Sequence, residues 1–286
     1  MQSGPDIYYK CPKCEKVIKR RSMLSGNTFG AKQYSDGRMH APMMPEYPRI
    51  TECPKCGNIY WLKDEYEVPE YIPAKKHPFI SQEDYDMNEY YARSNMDAKF
   101  LEPYQYIIAL NRKIYETSKE EKFLRIRYWW SVNEETSEKR VDSRIFEKTF
   151  TSKMMSGIKG IFIEPTSEKT EKARKEIEEE NRKYFEDENF ADNLKKLILL
   201  LTDEIRELSA SENKSNDENN EEKEYELENN TFMIAELHRN LGNFSECKNT
   251  LKNITNPDSL WLKELFEAEC AKENKFVFLI KRKDKK

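Results

Sequence analysis

The sequence predicts a mainly α chain that opens with a small, turn-rich β module. Three observations lead there. Five of eight glycines and nine of twelve prolines precede residue 80, which concentrates turn chemistry at one end. Beyond that point, apolar residues recur at helical spacing in one segment after another. Two Cys-x-x-Cys pairs, Cys11/Cys14 and Cys53/Cys56, lie inside the turn-rich part.

Residues 1–68 read as the cysteine module and 69–80 as a linker, with prolines at 69, 73 and 78. A helical domain is expected over 81–208. Ser81 followed by Asp84 reads as a capping box for its first helix. Pro103 suits the first turn of a second, with Tyr104, Ile107, Ile108 and Ile114 as its apolar stripe. Leu124, Ile126, Tyr128 and Trp130 alternate like a strand, but Glu120, Glu121 and the helical neighbours favour a helix there. Residues 140–156 suggest another helix, ended by Gly157. The segment 168–189 is dense in both charge signs and is expected to form a solvated helix running into 194–208. The Ser/Asn/Glu/Lys tract from 209 cannot bury a core, so 209–230 is expected as a flexible acidic and polar loop. Three apolar stripes follow within 231–280, at 232–241, 247–254 and 260–266. Residues 281–286 are a basic tail.

The chain is 37% hydrophobic and 36% charged, polar for a globular protein but not depleted of apolar residues as disordered chains are. Its longest apolar runs, 197–201 and 276–280, are five residues each, far too short for a membrane span. No basic-then-apolar stretch opens the chain, so no secretory signal is expected. Six cysteines without such a signal point to a reducing, cytoplasmic setting, where clustered thiols bind metals more often than they pair. Residues 1–80 hold thirteen Lys/Arg against nine Asp/Glu, a balance of +4 that leaves −8 on the remainder of a chain with net charge −4. Such a bias is too mild to mark a nucleic-acid binder.

Cys11-Pro12-Lys13-Cys14 and Cys53-Pro54-Lys55-Cys56-Gly57 are two near-identical knuckles. A two-residue spacer lets both thiolates of a pair face one cation, and two pairs complete a tetrahedral site. Gly57 fits a tight turn with an open backbone angle. The pattern is zinc-ribbon-like but stretched: 38 residues separate Cys14 from Cys53, which implies an inserted hairpin or loop over 16–51. Structural Zn²⁺ is the expected cofactor, since four protein thiolates leave no open position for water. Iron is the competing metal. A thiol redox pair would need one such motif beside a βαβ pattern, which is missing.

Within the insert, Asp36-Gly37 is a hairpin-turn signal, and the Pro/Met stretch over 41–48 is most simply explained by packing. Lys13, Lys16, Lys19, Arg20 and Arg21 form a basic tract that reads as a solvated turn. His40, His77 and His238 are isolated, and Cys247 and Cys270 read as buried small residues. With no nucleophile–base pair and no HExxH, GxSxG, P-loop or Rossmann fingerprint, no catalytic residue is named and a non-enzyme is expected.

Ala235, Gly242, Phe244 and Cys247 resemble one tetratricopeptide (TPR) unit. In that family a small residue sits seven before the turn glycine, an aromatic two after it and a small residue five after it. Leu251 and Ile254 continue the second helix, while Pro257 falls two residues early for the closing proline. The chain as a whole resembles a bacterial family of uncharacterised proteins. The shared elements are the segment 25–31, Asp36-Gly37, the stretch 41–48, Trp129-Trp130 and the repeat-like 237–244. That resemblance implies a zinc-ribbon-like module joined to a TPR-like helical domain, and no activity. The expected function is a non-enzymatic, zinc-binding adaptor for a protein or peptide, with a nucleic-acid-binding protein and a thiol redox protein as alternatives.

Overall fold

The computed structural model describes residues 1–68, 97–136, 167–210 and 217–281. The expected linker at 69–80, the helix opening at Ser81, the helix at 140–156, His77 and most of the basic tail lie outside these residues. Among the described residues the strands are β1 Gln2–Ser3, β2 Ile7–Lys10, β3 Val17–Arg20, β4 Met23–Ser25, β5 Lys32–Tyr34, β6 Met39–His40, β7 Ile50–Glu52, β8 Ile59–Trp61 and β9 Leu279–Ile280. The helices are α1 Pro103–Asn111, α2 Ser118–Glu135, α3 Ser167–Glu186, α4 Glu188–Ala210, α5 Asp217–Asn240, α6 Phe244–Leu251 and α7 Leu260–Ala271. A mainly helical chain with small antiparallel sheets at its N-terminal end is therefore what the structure contains. No described helix is long and apolar enough to cross a membrane.

The chain divides into two compact units: residues 1–32 with 39–114, and residues 33–38 with 115–286. The first is the cysteine unit. Strands β2 and β3 pair antiparallel from Ile7↔Arg20 to Lys10↔Val17, and β7 and β8 from Ile50↔Trp61 to Glu52↔Ile59. Tyr9, Ile18, Tyr60 and Leu62 form its core together with Cys11 and Cys53. Residues 97–114 fold with this unit, although the helical domain was expected to begin at residue 81. The Ala98 N–H donates to the Lys19 carbonyl at 2.7 Å, and the Trp61 indole donates to the Ile114 carbonyl at 2.5 Å. Helix α1 starts at Pro103 as expected, with Glu102 and Gln105 forming a capping box. Its buried face differs from the expected stripe: Tyr106 and Ala109 are buried, Tyr104 is exposed, and Ile114 falls beyond the helix end.

In the helical unit, 123–130 lies within α2, whose first turn is capped by the Thr117 hydroxyl accepting from the Glu120 N–H at 3.2 Å. The charged helix expected to run from 168 into 208 is two helices. Asp187 breaks it, its Oδ1 accepting the N–H groups of Asn189 at 2.7 Å and Phe190 at 3.1 Å, which starts α4 afresh. A larger correction concerns 209–230. Residues 217–230, expected as loop, are the first half of α5. Glu and Lys are good helix formers, and the buried second half of α5 nucleates the turns before it. Helix α4 packs on α2 and α5, α5 on α6, and α6 on α7. Phe232, Ala235, Cys247, Leu251, Ile254, Phe266 and Cys270 share the core under the last three helices.

A buried polar network ties residues 33–38 into this unit. Strand β9 pairs with β5 through Gln33↔Ile280 and Tyr34↔Leu279. At the turn, Gly37 takes φ +80° and the Tyr34 N–H donates to the Arg38 carbonyl at 2.9 Å, as expected for Asp36-Gly37. The Asp36 carboxylate accepts from Asn133 Nδ2 at 2.9 Å, and its carbonyl accepts from the Trp130 indole at 2.9 Å. Ser35 donates to Glu236 Oε1 at 2.7 Å, while Trp129 donates to Asn240 Oδ1 at 2.6 Å. Arg239 binds Glu236 at 2.5 and 2.7 Å and also reaches the carbonyls of Asn274 and Phe276.

Candidate metal centre

The two knuckles occupy the turns of two matched hairpins. Cys11 to Lys16 link β2 to β3, and Cys53 to Asn58 link β7 to β8. Their backbones repeat one another bond for bond. Cys11 N–H donates to the Lys16 carbonyl at 2.9 Å, as Cys53 N–H does to the Asn58 carbonyl at 2.8 Å. Glu15 N–H donates to the Cys11 carbonyl and Gly57 N–H to the Cys53 carbonyl, each at 2.9 Å. Both donors are left-handed, with φ +57° at Glu15 and +68° at Gly57. Glycine was expected at this place in the second knuckle; the first holds a glutamate there at some strain.

This turn brings all four Sγ atoms within 4.8 Å of one another, with Cys11 and Cys53 buried and Cys14 and Cys56 half-buried. The Cys11–Cys56 distance is 3.7 Å and the Cys14–Cys53 distance 3.6 Å. A tetrahedron with about 2.3 Å from metal to sulfur has an edge of about 3.8 Å, so these separations fit a tetrathiolate cage around one cation. Both of these contacts run between the knuckles, and none of the four cysteines is in a disulfide.

Burial and backbone amides act in opposite directions on the thiols of Cys11, Cys14 and Cys53. Burial pushes the Cys11 thiol up, against the pull of the Lys13 and Cys14 N–H groups on its sulfur. Burial drives Cys53 to about 12, against the equivalent N–H groups of Lys55 and Cys56. Cys14, nearer solvent, is drawn down to about 7, chiefly by the Lys16 N–H. Buried thiols resist ionising alone, and a bound dication reverses that preference. The amides already aimed at the sulfurs are the outer support such a site needs. Tyr60, packed beside Cys11 and Cys53, has its hydroxyl buried with no hydrogen-bond partner among the described residues, and burial raises its pKa.

Other expected features do not join the cage. His40 is exposed, and His238 lies in α5, its Nδ1 buried without a partner among the described residues and its pKa lowered by that burial. The basic tract is substantially engaged: Lys19 pairs with Asp6 at 3.3 Å and Asp97 at 3.5 Å, Arg21 pairs with Asp97, and Arg20 lies over the Tyr9 ring. In the Pro/Met stretch Ala41 and Pro48 are buried, but Met43 and Met44 remain 38% exposed. The buried Glu236–Arg239 network was not anticipated. Its signal was present in Asp36-Gly37, Trp129-Trp130 and the 237–244 segment, which the fold gathers around that network. Compared with known proteins, the chain matches no family model, no curated protein and no solved structure.

Proposed function

We propose that the protein is a non-enzymatic adaptor whose N-terminal unit is folded around a structural zinc ion held by Cys11, Cys14, Cys53 and Cys56. The observation that carries this reading is the tetrahedral spacing of four sulfurs on two matched knuckles. Zinc suits a closed, redox-inert site, whereas iron in the same cage would colour the protein. The adaptor role rests on the helical unit. Stacked helix pairs build extended surfaces for peptides, and the TPR-like placing of Ala235, Gly242, Phe244 and Cys247 supports such a stack. Leu199, on α4, is 64% exposed and marks an apolar point on that surface.

Untagged protein purified anaerobically is expected to carry close to one equivalent of zinc. A combined zinc and iron content below about half an equivalent refutes the centre, because a folding metal is retained. Cys11→Ser is expected to unfold the cysteine unit and spare the helical one. Partners captured by the full chain are expected to be lost on Leu199→Asp, which leaves metal content unchanged. Tight binding to DNA or RNA that collapses with added salt would instead move the function to nucleic acid.

A further inference from the structure

The helical unit holds a second pair of thiols that the metal centre does not use. Cys247, in the middle of α6, and Cys270, in the last turn of α7, are both buried in the core shared by α5, α6 and α7. Their Sγ atoms are 3.1 Å apart, closer than any sulfur pair quoted for the metal cage. About 1 Å of closure brings them to the S–S bond length of about 2.05 Å, a movement within reach of side-chain rotation and a small shift of α7. Four thiolates around a cation are held apart by the metal between them. Two thiols packed side by side in an apolar core have nothing between them.

We propose that Cys247 and Cys270 are an oxidation site that closes to a disulfide when the protein meets hydrogen peroxide, and that the bond staples α7 to α6. Cys270 is the first to react. It lies one residue from the end of α7 and keeps 2% of its surface exposed against none for Cys247, and helix ends open more readily than helix middles. Cys270 is drawn down by its hydrogen bond with Cys247 and by the cationic Arg239 and Lys248 nearby; Cys247 is pushed up by the same hydrogen bond and by burial. The Cys270 thiolate attacks one peroxide oxygen, the O–O bond breaks, and hydroxide leaves to be protonated to water, giving a sulfenic acid. The Cys247 thiol, losing its proton, attacks that sulfur, forms the S–S bond and releases the sulfenic hydroxyl as a second water. Two thiols are oxidised by two electrons, and one peroxide is reduced to two waters. The neighbouring thiol traps the sulfenic acid before a second peroxide reaches it.

Closing the pair fixes α7 and the segment after it. That segment gives the Asn274 and Phe276 carbonyls to Arg239 and the strand β9 to β5. The outcome is a helical unit whose terminal helix is harder to open when oxidised.

The test uses the full chain in its metal-loaded form, treated with graded hydrogen peroxide, blocked with a maleimide under denaturing conditions and mapped by mass spectrometry. The expected product is a Cys247–Cys270 cross-linked peptide, lighter by two hydrogens than its two thiol parts, at peroxide levels that leave Cys11, Cys14, Cys53 and Cys56 alkylated. Hydrogen exchange across 260–271 is expected to slow on oxidation in the wild type and to be unchanged by peroxide in Cys270→Ser. Separate alkylation of both thiols, separate sulfinic acids, or pairing with a metal-centre cysteine overturns the proposal. If Cys270→Ser fails to fold, the wild-type map decides alone.

Discussion

Replacing Arg239 with methionine tests how the helical unit is held together. Arg239 and Glu236 are both fully buried. The guanidinium holds the carboxylate at 2.5 and 2.7 Å and reaches the backbone carbonyls of Asn274 and Phe276. Methionine keeps much of the apolar stem but leaves a buried carboxylate without its counter-charge and takes a donor from two carbonyls. Removing one partner of a buried ion pair costs about 3–5 kcal/mol, a large part of the about 5–15 kcal/mol that typically holds a fold. At about 2–4 °C per kcal/mol for a domain of this size, the melting temperature of the helical unit should fall by about 6–20 °C. The loss also has a pH signature. Burial raises the Glu236 carboxyl above its ordinary range, and Arg239 pulls it back; without Arg239 it rises further. A carboxyl raised in the folded state contributes stability that is full below its unfolded value and is lost as pH rises through the folded one. The deficit of Arg239→Met should therefore shrink as pH is lowered towards the ordinary carboxylate range. Urea unfolding followed by helical circular dichroism at acid and neutral pH measures both effects. A loss below about 1 kcal/mol, or a deficit that does not change with pH, would refute the reasoning. Adding Glu236→Leu should restore part of the stability, because an apolar pair needs no compensating charge.

Three further outcomes are expected. Glu15→Gly relieves a left-handed residue at φ +57° and should stabilise the cysteine unit by up to about 1 kcal/mol in thermal unfolding, whereas any loss would mean that the glutamate side chain supports the knuckle. Tyr60→Phe removes a buried hydroxyl with no hydrogen-bond partner among the described residues and should leave stability unchanged or raise it by up to about 1–3 kcal/mol, while a loss above about 1 kcal/mol would show the hydroxyl bonded in the native protein. Ala235→Trp forces a large ring into a site with no exposed surface beside Cys247 and should cost about 1–3 kcal/mol or more, while Asn243→Ala, on the exposed turn, should cost far less in the same denaturation assay.

What the sequence disclosed followed the range of the interactions behind it. The cysteine cluster was legible because its chemistry is local: each Cys-x-x-Cys turn is closed by bonds spanning a few residues, such as Cys11 N–H to the Lys16 carbonyl, and residue order alone specifies them. Pro103, Gly242 and the Asp36-Gly37 turn were legible for the same reason, each meeting a backbone requirement in place. The charged stretch from 168 to 208 was misread as one helix because the break depends on a single Asp187 carboxylate accepting two N–H groups. An aspartate flanked by Glu186 and Glu188 looks like any other surface charge. The tract at 217–230 is polar enough to resemble a loop, yet it is helical because Glu and Lys support a helix once an adjoining buried half has nucleated it.

The buried polar network of the helical unit escaped sequence reading for a deeper reason. Ser35 and Glu236 are 201 residues apart, and no spacing rule links them. The Asp36-Gly37 turn, the two tryptophans at 129 and 130, and Glu236, Arg239 and Asn240 on α5 contribute groups to one buried network. Each polar group there is tolerable inside the core only because the others meet it: Asp36 needs Asn133, Trp129 needs Asn240, and Glu236 needs Arg239. Such a network constrains its members jointly. Residues 33–38 therefore cannot be the free hairpin that a stretched zinc ribbon would carry. They are a structural part of the helical unit interrupted in sequence by the cysteine unit, so the long spacing between Cys14 and Cys53 reflects a segment with a second folding role.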